Sequence, residues 1–166
     1  QPRTVPGFLL AALAERKRLG HAPFTILTCD NLPANGHTVH TVMRQFTRLA
    51  RKDLLSLVSQ DVAFPSTMVD RIVPATTDAD RDLVAQALGV TDAWPIMTEP
   101  FTQWVIEDHF PQGRPDWGAF GAELVKDVLP YETMKLRLLN GSHSTLAYLG
   151  YLSGYETVAE AMADKA

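Results

Sequence analysis

The residues best equipped for chemistry lie in one stretch, Pro130-Tyr131-Glu132-Thr133-Met134-Lys135-Leu136-Arg137-Leu138-Leu139-Asn140-Gly141-Ser142-His143-Ser144. On an α-helix turning about 100° per residue, with Lys135 at zero, Glu132 falls at about 60°, His143 at about 80° and Asn140 at about 140°. An amine, an amide, an imidazole and a carboxylate therefore share one side of the helix, while Leu138, at about 300°, points elsewhere and makes apolar core contacts. The amine, imidazole and carboxylate are groups that move protons, and an amide can hold a reacting oxygen. A solvated face with an incidental Glu132 to Lys135 pair has the same composition. Residue types alone leave both readings open.

Other reactive groups are weaker candidates. His37 and His40 stand three apart at the start of a helix, as a metal-binding pair would, but no third ligand of the right type is near them in sequence. The single cysteine, Cys29, can form neither an internal disulfide nor a cysteine-rich zinc site, and reads as a small buried hydrophobe on a strand. None of the ten glycines forms a G-x-G-x-x-G motif after a strand, and there is no Walker loop, so residues 1–166 are not expected to hold a dinucleotide alone. The spacing Gly150-x-x-x-Gly154 suits helix packing. Asn140-Gly141-Ser142 matches a glycosylation sequon, but nothing else points to secretion.

The elements that must position these groups follow from periodicity. Phe8, Ala11, Ala12 and Leu19 recur at helical spacing over residues 7–19, with Gly20 as the stop. The run 24–29 (FTILTC) suits a buried strand. From Asn35 to Val58 apolar residues recur every three or four positions, which predicts one long helix with a solvated basic face of Arg44, Arg48, Arg51 and Lys52. Residues 67–73 look extended, Thr77 caps a helix from Asp78 to Leu88, and Gly89 closes it. Residues 98–107 have strand composition, with Pro100 confining them to an edge or an irregular stretch. Helices are expected over Asp116–Val128 and Pro130–Tyr151, and a last one begins near Glu156 after a break at Gly154. The fold class expected is mainly α with a small α/β portion. Periodicity gives the tail of an α/β domain leading into a mainly α-helical domain, with the boundary near residues 31 to 35.

Composition narrows the function classes. Fifteen basic and nineteen acidic residues are mixed along the chain for a formal net charge of −4, with no basic footprint for nucleic acid or anionic membrane. No apolar run approaches the roughly 20 residues of a membrane span, and the Gln1-Pro2-Arg3-Thr4 start lacks a signal-peptide layout, so a cytoplasmic location is expected.

Four blocks carry a resemblance that runs over nearly the whole chain. They are Thr28-Cys29-Asp30-Asn31-Leu32-Pro33 with Asn35-Gly36; Phe64-Pro65 with Met68-Val69-Asp70-Arg71; Glu99-Pro100-Phe101 with Gln103-Trp104-Val105-Ile106-Glu107-Asp108; and Lys135-x-x-x-x-Asn140-x-x-His143. In content and order they resemble the long-chain polyol dehydrogenases, the family of mannitol 2-dehydrogenases and of fructuronate and tagaturonate reductases. The resemblance implies that residues 1–166 are an internal part of a longer chain, with a glycine motif upstream and further helices downstream: residues 1–31 would be the C-terminal end of a Rossmann-type nucleotide-binding domain and residues 32–166 the first part of a mainly helical substrate and catalytic domain.

It also implies an NAD- or NADP-dependent, metal-free reaction between a sugar alcohol of the mannitol or arabinitol type and its ketose. In such a reaction Lys135 matches the general base. Burial lowers an amine's pKa toward the operating pH, which suits that task. Asn31 and Asn140 match donors to the oxygen that becomes alkoxide-like, and Asn31 also suits a turn after a strand. His143 matches the residue that binds and orients the substrate oxygen. Asp70 matches a polar group lining the substrate pocket, against the simpler reading of an ion pair with Arg71. Glu132 is a weaker assignment as a proton relay. Reduction of a keto-hexuronate is the close alternative, and a non-catalytic helical interaction module is the alternative from another class. The residues do not distinguish NAD from NADP, nor do they set the oligomeric state.

Overall fold

The computed structural model describes residues 2–164, and the chain divides into two compact units, Gln1–Val125 and Lys126–Ala166. The expected boundary near residues 31 to 35 is not where the chain parts. The backbone of residues 24–30 is tied to residues 63–67 of the same unit: the Ile26 amide donates to the Ala63 carbonyl at 2.9 Å, and the Thr67 hydroxyl donates to the Thr28 carbonyl at 2.7 Å. A domain end at residue 31 would cut through these bonds.

The first unit opens with helix α1, Val5–Arg18. Thr4 caps it by accepting from the Gly7 amide, and Arg16, Lys17 and Arg18 sit in its last turn, where cations complement the helix dipole. Its buried face is Leu10 and Leu13, and Phe8 and Leu19 are exposed, so the face expected from periodicity is rotated. Leu10 and Leu13 instead join Ile26, Met43, Leu54, Val58 and Val62 in the core. Residues 24–29 run extended but form no strand, because the ladder bonds a strand needs are not made.

Helix α2, Asn35–Ala50, is shorter than the apolar repeat suggests. It stops at Arg51, whose backbone is extended and whose guanidinium turns back onto Asp53 at 2.7 Å. A 3₁₀ turn at Lys52–Leu54 and a π-helical turn at Leu57–Asp61 follow. That break lets Leu54 and Val58, 1% and 0% exposed, enter the same core as Met43. Arg44, Arg48, Arg51 and Lys52 are exposed, as their pattern indicated.

A three-stranded sheet completes the unit in the order β1 (Thr67–Asp70), β2 (Gln103–Glu107), β3 (Glu123–Val125). Strands β1 and β2 are antiparallel, with Thr67 opposite Ile106 and Asp70 opposite Gln103. Strands β2 and β3 are parallel, with Val105 opposite Glu123. Two expectations change here. The 98–107 segment supplies the central strand rather than an edge, which is allowed because Pro100 lies ahead of the paired residues. The expected helix over Asp116–Val128 is replaced by a 3₁₀ turn, Trp117–Phe120, and by β3, since pairing with β2 satisfies that backbone from a distant partner. Helix α3, Asp78–Leu88, begins and ends as expected. Thr77 and Asp80 form a reciprocal capping box and Gly89 closes the helix at φ 70°.

The second unit is helical. Helix α4, Leu129–Met134, continues through a π-helical segment, Lys135–Asn140, into α5, Gly141–Leu152. Gly154, at φ 88°, reverses the chain. Helix α6, Val158–Ala163, starts at a capping box of Thr157 and Glu160. A Cβ on Gly150 would lie 3.0 Å from the Ala161 Cβ, which gives this glycine the packing role its spacing suggested. Among the described residues no helix is long and apolar enough to cross a membrane.

Candidate functional site

In the second unit Lys135, Asn140 and His143 lie on one continuous helix, but its geometry departs from the α-helical wheel. Lys135–Asn140 is π-helical. An i→i+5 turn winds less than 100° per residue, so Lys135 and Asn140 lie nearer to one face than the α-helical offset of about 140° allows. Lys135 is 9% exposed, the single buried cation among the described residues, whereas Leu136 and Leu138 are 44% and 67% exposed. This inverts the expected division of the helix into an apolar core side and a wet polar side. Asn140 and Glu132 are half-buried and His143 is exposed. Three hydroxyls bond back along the helix: Ser142 to the Leu138 carbonyl, Ser144 to Asn140 and Thr145 to Gly141. Helix hydroxyls take such i−4 bonds readily.

In the first unit Asn31 sits exposed in the bend that follows the extended 24–29 segment. Asp70 is half-buried at the end of β1. The Arg71 guanidinium, its nearest candidate partner in sequence, donates to the Glu99 carbonyl at 2.9 Å. Glu99 also accepts from the Ile72 amide at 2.7 Å, and Glu107 accepts from the Ser66 amide at 2.8 Å. Val105 and Ile106 are fully buried, so the strand part of the 99–108 block is core.

The site has one further component to which the sequence assigned no role. Asn35 is 1% exposed, and its side-chain amide donates to the Asp30 carbonyl at 2.8 Å and to the Thr67 hydroxyl at 3.0 Å. Its carbonyl accepts from the Thr67 amide at 2.9 Å. An asparagine within a turn-like run shows no such burial in sequence; only the partner 32 residues away reveals it.

Cys29 is exposed, contrary to the expectation of a buried strand residue, because the 24–29 segment is not sandwiched in a sheet. Desolvation first, and then the Asp30 carboxylate, raise its thiol pKa, with Trp104 acting in the opposite sense. His40 stacks on Phe64 with ring centroids 4.7 Å apart. Burial, followed by Arg44 and His37, lowers its pKa. Among the described residues no group of three His, Cys, Asp or Glu is placed to hold a metal. An open cleft of about 480 Å³ between Phe24, Leu27, Phe110, Arg114 and Trp117 contains none of the candidate residues.

Comparison with known proteins bears on both units. The chain is 48% identical over 165 residues to D-mannonate oxidoreductase of Escherichia coli, covering 99% of this chain and 34% of that protein. It is 48% identical over 164 residues to mannitol 2-dehydrogenase of Aspergillus terreus, covering 97% of this chain and 33% of that protein. Among solved structures it matches the Pseudomonas fluorescens mannitol 2-dehydrogenase ternary complex with NAD and D-mannitol at a TM-score of 0.82 and 47% identity, over 98% of this chain and 33% of that one. It also matches D-sorbitol dehydrogenase in substrate-free form at a TM-score of 0.92 and 36% identity, over 99% and 34%. The chain thus spans about a third of the length of the relatives it matches. The mannitol dehydrogenase Rossmann domain model matches residues 1–119 and the mannitol dehydrogenase C-terminal domain model matches residues 127–166. The two models coincide in turn with the two compact units, and the chain belongs to the mannitol dehydrogenase family.

Proposed function

We propose that this chain supplies the proton-transfer and oxygen-binding groups of an NAD- or NADP-dependent, metal-independent oxidoreductase that interconverts a sugar alcohol of the mannitol or arabinitol type and its ketose. The observation that carries this reading is the burial of Lys135 at the start of a π turn that ends at Asn140. A solvated helix face does not bury its lysine and expose its leucines. Turns of this kind are frequent at functional sites.

In this reading Lys135 removes the hydroxyl proton during oxidation and returns it during reduction. Asn31 and Asn140 donate hydrogen bonds to the substrate oxygen as it gains negative charge, which neutral, preorganised donors can stabilise without a metal ion. His143 orients that oxygen, Asp70 lines the substrate pocket, and Glu132 passes protons between Lys135 and solvent. When bound, the nucleotide would supply the hydride acceptor, by the parallel with the NAD-bound relative. Among the described residues no glycine motif follows a strand into a helix, so they do not provide the usual pyrophosphate cradle. What this chain contributes is the oxygen and proton chemistry. Reduction of a keto-hexuronate is the second reading, favoured by the 48% identity to D-mannonate oxidoreductase.

The test is Lys135→Ala in the full-length polypeptide, assayed with NAD and D-mannitol and, in the other direction, with a keto-hexuronate. Turnover should fall by about 10²- to 10⁴-fold with nucleotide affinity unchanged, and a small primary amine should restore part of it. Full activity of the alanine variant would remove Lys135 from the mechanism.

A further inference from the structure

The turn that carries Asn31 is not held by its own residues alone. Thr28 and Asp30 exchange bonds across it, the Asp30 amide reaching the Thr28 hydroxyl at 3.2 Å, and the Leu32 amide reaches the Asp30 carbonyl at 2.9 Å. These are short-range contacts at the surface. Asn35 is a buried anchor. Its amide has two hydrogens, and the two shortest contacts, to the Asp30 carbonyl at 2.8 Å and the Thr67 hydroxyl at 3.0 Å, use both. The Thr67 hydroxyl passes its own hydrogen to the Thr28 carbonyl at 2.7 Å. The carbonyls of Thr28 and Asp30 are thereby pinned to the first residue of β1 from inside the unit.

The Asp30 carbonyl belongs to the peptide plane whose nitrogen is that of Asn31. Because that unit is planar, a bond that fixes the Asp30 oxygen fixes the direction in which the Asn31 backbone leaves it. Two features brace the anchor. Ala34 holds φ 46° and ψ 50°, a left-handed conformation that a residue with a Cβ keeps only where its surroundings impose it. Gly36 brings the start of α2 so close that a Cβ there would lie 2.4 Å from the Phe64 carbonyl oxygen.

We propose that Asn35 is a positioning residue that sets the orientation of Asn31 toward the substrate oxygen. This rests on the reading of Asn31 as a donor to that oxygen. The experiment is a double-variant cycle in the full-length polypeptide, with NAD and D-mannitol, reading kcat, KM and nucleotide Kd. Asn31→Ala should lower kcat by about 10²-fold, the effect of removing one oxyanion donor. Asn35→Asp keeps the shape but loses both donated bonds, and should lower kcat by about 10- to 10²-fold through misplacement, with nucleotide Kd within about twofold. The double variant should fall no more than about threefold below Asn31→Ala, since a misplaced donor that has been deleted costs nothing further. Thr67→Val spares the Asp30 bond and should lower stability while changing kcat by less than about threefold. If Asn35→Asp does not fold, Asn35→Ser goes through the same cycle with the same expectation. Fully multiplicative losses in kcat, or an Asn35 variant with unchanged kcat beside a crippled Asn31→Ala, would overturn the positioning role alone. An unimpaired Asn31→Ala would overturn the reading on which it rests, and the positioning role with it.

Discussion

Replacing Gly36 by alanine tests whether the start of α2 is as closely seated as its backbone indicates. In an ordinary helix this change is stabilising by about 1 kcal/mol, because glycine has the larger entropy to lose. Here the added Cβ would meet the Phe64 carbonyl oxygen at 2.4 Å and the Pro65 carbonyl carbon and oxygen at 2.7 Å, all backbone atoms that cannot rotate away. Recovering an ordinary contact of 3.4 Å requires the two backbones to separate by about 1.0 Å, the difference between 3.4 and 2.4 Å. The neighbouring Asn35 to Thr67 bond, now 2.9 Å, would open by a similar amount and leave a buried amide short of a partner. Overpacking costs roughly 1–3 kcal/mol, and an unsatisfied buried amide about 1–3 kcal/mol. After the propensity gain the net loss should be about 3 kcal/mol. At about 2–4 °C per kcal/mol for a chain of this size, the unfolding midpoint should fall by roughly 6–12 °C, as read by thermal scans with tryptophan fluorescence. Gly141→Ala is the matched control, since its Cβ would meet only the Leu136 carbonyl oxygen at 3.7 Å, and it should be neutral or slightly stabilising. A Gly36→Ala midpoint equal to or above that of the unaltered protein would refute the close seating.

Thr77→Ala removes one half of the α3 capping box and should cost about 1 kcal/mol, read from the shift of the urea midpoint; no shift would mean that α3 does not depend on its cap. Among the carboxylates whose pKa is held below the ordinary range are Asp108, by the Arg114 guanidinium, Asp80, by the Thr77 backbone amide, and Glu160, by the Thr157 backbone amide. A depressed folded pKa stabilises fully above the unfolded value and loses that contribution as pH falls through the folded one, so the unfolding midpoint should drop increasingly steeply below about pH 4. Arg114→Leu should flatten the Asp108 part of that drop, and an unchanged profile would show that the pair contributes nothing. The 166-residue chain by itself should show no mannitol-, arabinitol- or keto-hexuronate-dependent turnover and only weak binding of NAD or NADP in calorimetry, because it carries no glycine motif for the pyrophosphate; turnover by the purified chain would contradict this.

Features whose partners lie within a few residues were legible in the sequence. The α3 cap at Thr77 and its stop at Gly89, the turn at Gly154 and the solvated arginines of α2 all follow from local hydrogen bonding and conformational preference. So does the presence of Lys135, Asn140 and His143 on one helix. Contacts over long separations were not legible. Which face of α1 is buried depended on what Leu10 and Leu13 meet, namely Ile26, Met43 and Val58. The end of α2 at Arg51 was decided by the need to turn Leu54 and Val58 inward, although the apolar repeat continued past it. Residues 123–125 became a strand because β2 offered unpaired backbone. The π turn from Lys135 to Asn140 changes the hydrogen-bond period without altering the residue pattern that a helical wheel reads. The burial of Asn35 arises from Thr67, which the chain brings to it only on folding. The sequence by itself determined which residues are available for chemistry and most of the helix ends. The tertiary structure decided which polar groups are taken out of water, since desolvation is set by neighbours that are distant in the chain.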